Sequence, residues 1–156
     1  MDEHEDRILA EELAALGAAS GGSARLVRAV ARLMRKNVHE VELRVPLPFD
    51  ATVQRVSGVL GRAGSRPIET SRERYGEAET LRIVTGGGAG GLNPVVVTAR
   101  VSEIDGETSA VLLRAAAKEG VIRQRAGEKT ALRLAALLST ATGTEGSGRA
   151  GEGPGR

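Results

Sequence analysis

Apolar and polar positions alternate along this chain with two different periods. Over residues 5–18 (EDRILAEELAALGA), Ile8, Leu9, Leu13 and Leu16 recur at helical spacing with acids opposite. The spacing predicts a helix whose first-turn acids suit the helix dipole. Gly17 and the Gly21-Gly22 pair break it, and Ser23 is placed to cap a second helix over 24–36. In that helix Leu26, Val30, Leu33 and Met34 form an apolar stripe, while Arg25, Arg28, Arg32 and Arg35 line another face.

From residue 38 the period changes to two. Val41, Leu43, Val45 and Leu47 alternate with Glu40, Glu42 and Arg44, a half-buried strand over 40–47 closed by Pro46 and Pro48. Asp50 is placed to cap a helix over 51–63 with Val53, Val56 and Leu60 on one face. Four strands follow, over 67–74, 80–85, 95–104 and 108–117. The turn Asp105-Gly106 joins the last two as a hairpin, and the glycine run 86–91 acts as a flexible connection. A final helix over 121–138 carries the seam Gly127, Ala131, Leu134 and Leu138.

The expected order is thus β-α-β-β-β-β-α, preceded by two helices. It predicts an α+β two-layer sandwich with a five-stranded, mainly antiparallel sheet and helices on one face. Residues 1–37 form an N-terminal helical segment, 38–139 the α+β domain, and 140–156 a Gly- and Ser-rich tail expected to be disordered.

Charge changes the picture only at the N-terminus. The net charge is +2, but residues 1–22 carry six acids and Arg7, whereas 23–36 carry five basic residues and no acid. The acidic and basic helices are expected to pair with each other, or the basic helix to pack on the domain. The basic helix also fits an acidic protein or an anionic membrane surface. The acidic start argues against a targeting peptide, so the expected location is cytoplasmic. Composition mostly excludes. There is no cysteine and no tryptophan, with one Phe and one Tyr, so disulfide scaffolds, thiol enzymes and base-stacking sheets are ruled out. Nucleic acid is therefore not an expected partner. A homo-oligomer through the sheet stays open.

Candidate chemistry is sparse. Gly86-Gly87-Gly88-Ala89-Gly90-Gly91 matches G-x-G-x-x-G, but a strand and not a helix follows, so no helix N-terminus awaits a pyrophosphate. A mobile hairpin loop, with a lid over a pocket as one use, fits better. His4 and His39 have no metal-ligand spacing, and no nucleophile elbow is present. Neither a metal nor a cofactor is expected. Lys118, Glu119, Arg123, Gln124, Arg125, Glu128 and Lys129 cluster where the last strand meets the last helix. They read as a solvated helix start laced with charge pairs, or as a grip on an anionic headgroup.

Three segments carry a resemblance: VPLPFDATVQRVSGVLGRAG (45–64), NPVVVTARVSEIDGETSAVLLRAAAKEG (93–120) and VIRQRAGEKTALRLAALL (121–138). Together they resemble the TATA-binding-protein-like and helix-grip class. Within it, the chain is most similar to a shortened bacterial member of the START-like (SRPBCC) superfamily. It shows five strands where full members have six or seven. The resemblance implies an apolar ligand held between a curved sheet and the C-terminal helix. On this reading the chain is a non-enzymatic module for a lipid, acyl or other small apolar ligand. Leu81, Ile83, Val97, Ala99, Leu112 and Leu134 are the expected walls, with Lys118 and Arg123 as anion contacts. The alternative is an interaction module acting through Arg25, Arg28, Arg32 and Arg35. An enzyme of the cyclase or hydrolase kind has fold analogy as its support.

Overall fold

Helix α1 (Asp2–Ala19) and α2 (Ala24–Leu33) precede strand β1 (Arg35–Val45) and helix α3 (Phe49–Ala63). Strands β2 (Glu69–Arg72), β3 (Ala78–Gly87), β4 (Asn93–Asp105) and β5 (Thr108–Glu119) follow, and α4 (Ala126–Thr142) closes the order. The structure, a computed structural model, describes residues 2–65, 69–72, 78–87, 93–119 and 125–143. The sheet runs β1-β5-β4-β3-β2 with every neighbouring pair antiparallel. The expected α+β sandwich is the observed one.

Several boundaries move for identifiable reasons. The second helix ends at Leu33, not at residue 36, because Met34 turns extended and Arg35–Asn37 pair with Ala117–Glu119. A ladder that satisfies the backbone of β5 displaces one more helical turn. Arg35 therefore leaves the arginine face of the helix and begins a strand. Asp50 does not cap α3, which starts at Phe49 after Pro48. It sits in the first turn instead, where it meets Arg72 at 3.4 Å. The Arg72 guanidinium lies 5.3 Å from the Phe49 ring centroid, so one side chain ties β2 to the start of α3. Gly86 and Gly87, expected in a loop, extend β3 opposite Pro94 and Asn93. A Cβ on Gly87 would stand 2.7 Å from the Val95 side chain and 3.3 Å from Ala126, so the strand runs on under α4 only without one. The hairpin at Asp105-Gly106 is as expected. The Glu107 backbone N–H donates to Asp105 Oδ1 at 2.9 Å and holds the carboxyl below its ordinary range. Helix α4 runs through Thr142, beyond the expected limit at 138, while the rest of the expected tail, 144–156, lies outside the described residues.

The main core lies between one sheet face and helices α3 and α4. Leu43, Val45, Leu81, Ile83, Val97, Ala99, Val111, Leu113 and Ala115 meet Val56, Leu60, Ala131, Leu134 and Leu138 there. With almost no rings available, small residues close the gap. A Cβ on Gly127 would come within 2.8 Å of the Asn37 carbonyl oxygen and 3.0 Å of the Ala115 carbonyl oxygen. Backbone thus approaches backbone where α4 crosses β1 and β5. The start of α4 is held by neighbouring strands. Ala126 N–H donates to the buried Glu119 carboxylate at 3.0 Å, and Glu128 N–H donates to Asn37 Oδ1 at 3.3 Å.

The N-terminal helices occupy the opposite side. Leu9 of α1 packs on Val96 and Ala116, with Ile8, Val38 and Val84 around them. Polar contacts fix the docking. Lys36 stands directly opposite Lys118 in the β1–β5 register, an arrangement that repels unless anions intervene. Glu5 and Asp6 supply them. Glu5, fully buried, lies 3.0 Å from Lys36 Nζ and 3.0 Å from Arg114 Nε. Asp6 meets Lys118 Nζ at 2.8 Å, and Arg114 reaches Glu40 at 2.7 Å. Burial disfavours the Arg114 charge, yet its hydrogen bonds to Glu40 and Glu5 outweigh that and raise its pKa above the ordinary value. The two helices do meet as expected, but through small residues: Gly17 faces Val27, whose Cγ2 would lie 2.5 Å from an added Cβ.

Two contrasts test this packing by urea unfolding. Gly127→Ala is expected to cost about 1–3 kcal/mol by overpacking. Gly58→Ala, exposed on α3 with open space around it, is expected to stabilise by about 0.5–1 kcal/mol. Glu5→Ala is expected to cost about 3 kcal/mol, because it strips the anion from a buried cluster. It should also speed amide hydrogen exchange across α1. Glu40→Ala, at a half-exposed position, is expected to cost less than about 1 kcal/mol.

Candidate functional site

A recess opens where α3 and α4 diverge over the end of β3. Its volume is about 550 Å³. Val59, Arg62 and Ala63 come from the last turns of α3, at i, i+3 and i+4. Arg133, Leu137, Thr140 and Ala141 come from α4 at i, i+4, i+7 and i+8, and Thr85 and Gly86 of β3 form the floor. The recess end is fixed where the chain leaves α3: Ser65 N–H and Oγ both donate to the Val84 carbonyl, at 2.8 and 3.0 Å.

The lining divides chemically. Val59, Ala63, Leu137 and Ala141 make an apolar trough. Arg62 and Arg133 stand at its exposed margin, and neither has an ion-pair partner among the described residues. A free guanidinium offers parallel donors that fit a carboxylate or phosphate. The arrangement suits a molecule with an apolar body and an anionic end. A second, smaller cleft of about 160 Å³ lies between α1 and the β2–β3 edge. Its polar groups already serve one another: Arg7 donates to His4 Nδ1 at 2.8 Å, and Glu69 lies near both His4 and Arg82. Among the described residues no group of three or more His, Cys, Asp or Glu is placed to hold a metal, and no helix is long and apolar enough to cross a membrane.

The residues singled out from sequence fall elsewhere. Leu81, Ile83, Val97, Ala99 and Leu134 do come together under α4, but as closed core, and none of them lines the recess. Leu112 lies on the other sheet face, 36% exposed, because alternation along β5 sends Leu113 inward instead. Lys118 shares that outer face and holds Asp6 of α1. Arg123, Gln124 and the glycine-run positions 88–91 lie outside the described residues. Arg125 adopts a left-handed conformation (φ 50°, ψ 42°) just before α4 and meets Glu128 at 3.5 Å. On α2, Arg25 and Arg28 are exposed, while the Arg32 side chain is outside the described set. The recess residues Arg62, Arg133 and Leu137 were missed. One signal was present: Arg133, Leu137, Thr140 and Ala141 form a strip to one side of the expected α4 seam, with a leucine that the seam does not need.

No family model matches the chain, and no curated protein matches it. Solved structures do. The ZhuI aromatase/cyclase from Streptomyces sp. R1128 is similar at 14% identity, covering 70% of this chain and 93% of its own, with a TM-score of 0.40. A START superfamily protein from Mycobacterium smegmatis is similar at 10% identity over 68% of this chain and 97% of its own, with a TM-score of 0.39. Ara h 8.0201 is similar at 15% identity over 70% of this chain and 97% of its own, with a TM-score of 0.40. The START name raised by the sequence resemblance thus recurs among the matches. At these scores the likeness is loose, and the chemistry of the recess rests on this chain's own residues.

Proposed function

We propose that the protein is a non-enzymatic binding module that takes an amphipathic anion, an acyl carboxylate or similar apolar acid, in the recess between α3 and α4. One observation carries this reading: Arg62 and Arg133, without an ion-pair partner among the described residues, flank the apolar trough of a recess of about 550 Å³. That volume lies within the range of small-molecule sites, roughly 300–1,000 Å³. The apolar body would lie along Val59, Ala63, Leu137 and Ala141. The charged end would sit at the margin, where the guanidiniums reach it and water still has access. The recess lining holds two threonines, Thr85 and Thr140, and two arginines as its polar side chains, a set that supports binding of an anion. The site differs from the one the sequence resemblance implied. It lies beside α4 rather than beneath it, because the closely packed alanines and Gly127 leave no room between that helix and the sheet.

Titration with dodecanoate and with dodecanol tests the proposal, because the two share an apolar chain and differ in the charged end. Dodecanoate is expected to bind and to raise the melting temperature. The pair Arg62→Gln and Arg133→Gln is expected to weaken dodecanoate by about tenfold per arginine and to leave dodecanol unchanged. Ala63→Phe, which fills the trough, should weaken both. Failure of the wild-type chain to bind dodecanoate, or equal binding by the arginine variant, would refute the reading.

A further inference from the structure

Helix α2 has three sides, and among the described residues one of them packs within the chain. Val27 and the fully buried Ala31 face α1, at the small-residue seam around Gly17. On one flank Arg25 and Arg28 are exposed, with no ion-pair partner among the described residues. On the other, Leu26, Val30 and Leu33 form a strip at i, i+4 and i+7 that is 65%, 51% and 87% exposed. Three large aliphatic side chains in one exposed strip are unusual on a chain with so few large hydrophobics to spare. Two of the six acids of α1 are engaged elsewhere: Glu5 and Asp6 turn to Lys36, Arg114 and Lys118 on the sheet.

We infer that α2 is the surface by which the protein lies on an anionic lipid bilayer. Leu26, Val30 and Leu33 would enter the boundary between headgroups and acyl chains. The arginine stems would run along that boundary with their charges among the phosphates. Charge selects this occupant over a second copy. Helix α2 holds three arginines, Arg25, Arg28 and Arg32, and no acid, so two α2 helices meeting through the strip would bring like charges together. Because α1 and α2 lie on the sheet face opposite α3 and α4, the contact leaves the recess free. The inference therefore stands apart from the ligand reading.

Co-sedimentation of the full chain with vesicles is the test. One set is pure phosphatidylcholine; in the other about one lipid in three is phosphatidylglycerol. Binding is expected to the anionic vesicles and to weaken as salt is raised. Arg25→Gln with Arg28→Gln should lower partitioning by about 30-fold. Leu26→Ser with Val30→Ser should abolish it. Both variants change exposed side chains only, so their melting temperatures should match the parent, which separates lost docking from lost folding. Three results would overturn the inference: no binding to anionic vesicles, undiminished binding by the arginine variant, or a lipid-indifferent dimer that the serine variant converts to monomer.

Discussion

The buried carboxylate of Glu5 is the constraint on which the arrangement of this molecule turns. The β1–β5 register sets Lys36 against Lys118 and places Arg114 on the same face. Three cations on one strip of sheet repel one another and resist burial. Glu5 and Asp6, adjacent on α1, fit between them, and Leu9 one turn later adds the apolar contact. Much follows from that wedge. It orients α1 across the sheet and closes that end of the second face. It also turns Glu5 and Asp6 toward the sheet and away from α2, which packs on α1 at a seam of small residues.

The other face obeys a different rule. With one Phe and one Tyr in the whole chain, no large ring holds α4 off the sheet. Alanine and glycine let it settle until carbonyl groups define the distance. A core of this kind is dense where the helix crosses the strands and, among the described residues, opens where two helices part. The recess between α3 and α4 is that place. The aliphatic composition thus decides both where a ligand has no room and where it has some.

The sequence showed the fold through periodicity. Alternation in 40–45 and 95–101, the Asp-Gly turn, and the helical stripes around Val56 and Leu134 all correspond to observed elements. Boundaries were less legible where pairing overrode local preference. Arg35 and Lys36 read as helix from their neighbours and became strand because β5 needed a partner. Most of the expected pocket walls form closed core for a related reason. Apolar alternation marks a buried face but says nothing of how tightly it is covered, so Leu81 and Val97 read equally well as wall or as core. Leu112 shows the limit of face assignment in an apolar run, since Val111-Leu112-Leu113 offers no polar residue to fix the phase. Arg62 and Arg133 stood outside every motif, because they come to one recess only once α3 and α4 have folded against the same sheet face.

The strand order carries a consequence for how the chain reaches this state. Strands β2 to β5 are joined in sequence, each beside the next, whereas β1 pairs with β5 from Arg35 opposite Glu119 to Val45 opposite Ser109. The first strand to leave the ribosome therefore has the last as its partner. Until residues 109–113 have been made, Val41, Leu43 and Val45 have no register partners to join, and the long separation adds loop-closure entropy to their pairing. Glu40, Glu42 and Arg44, interleaved with them, keep the waiting strand charged and poorly suited to pairing with another chain. The alternation that announces a half-buried strand in the finished protein is, earlier in its life, what keeps that strand apart from its neighbours.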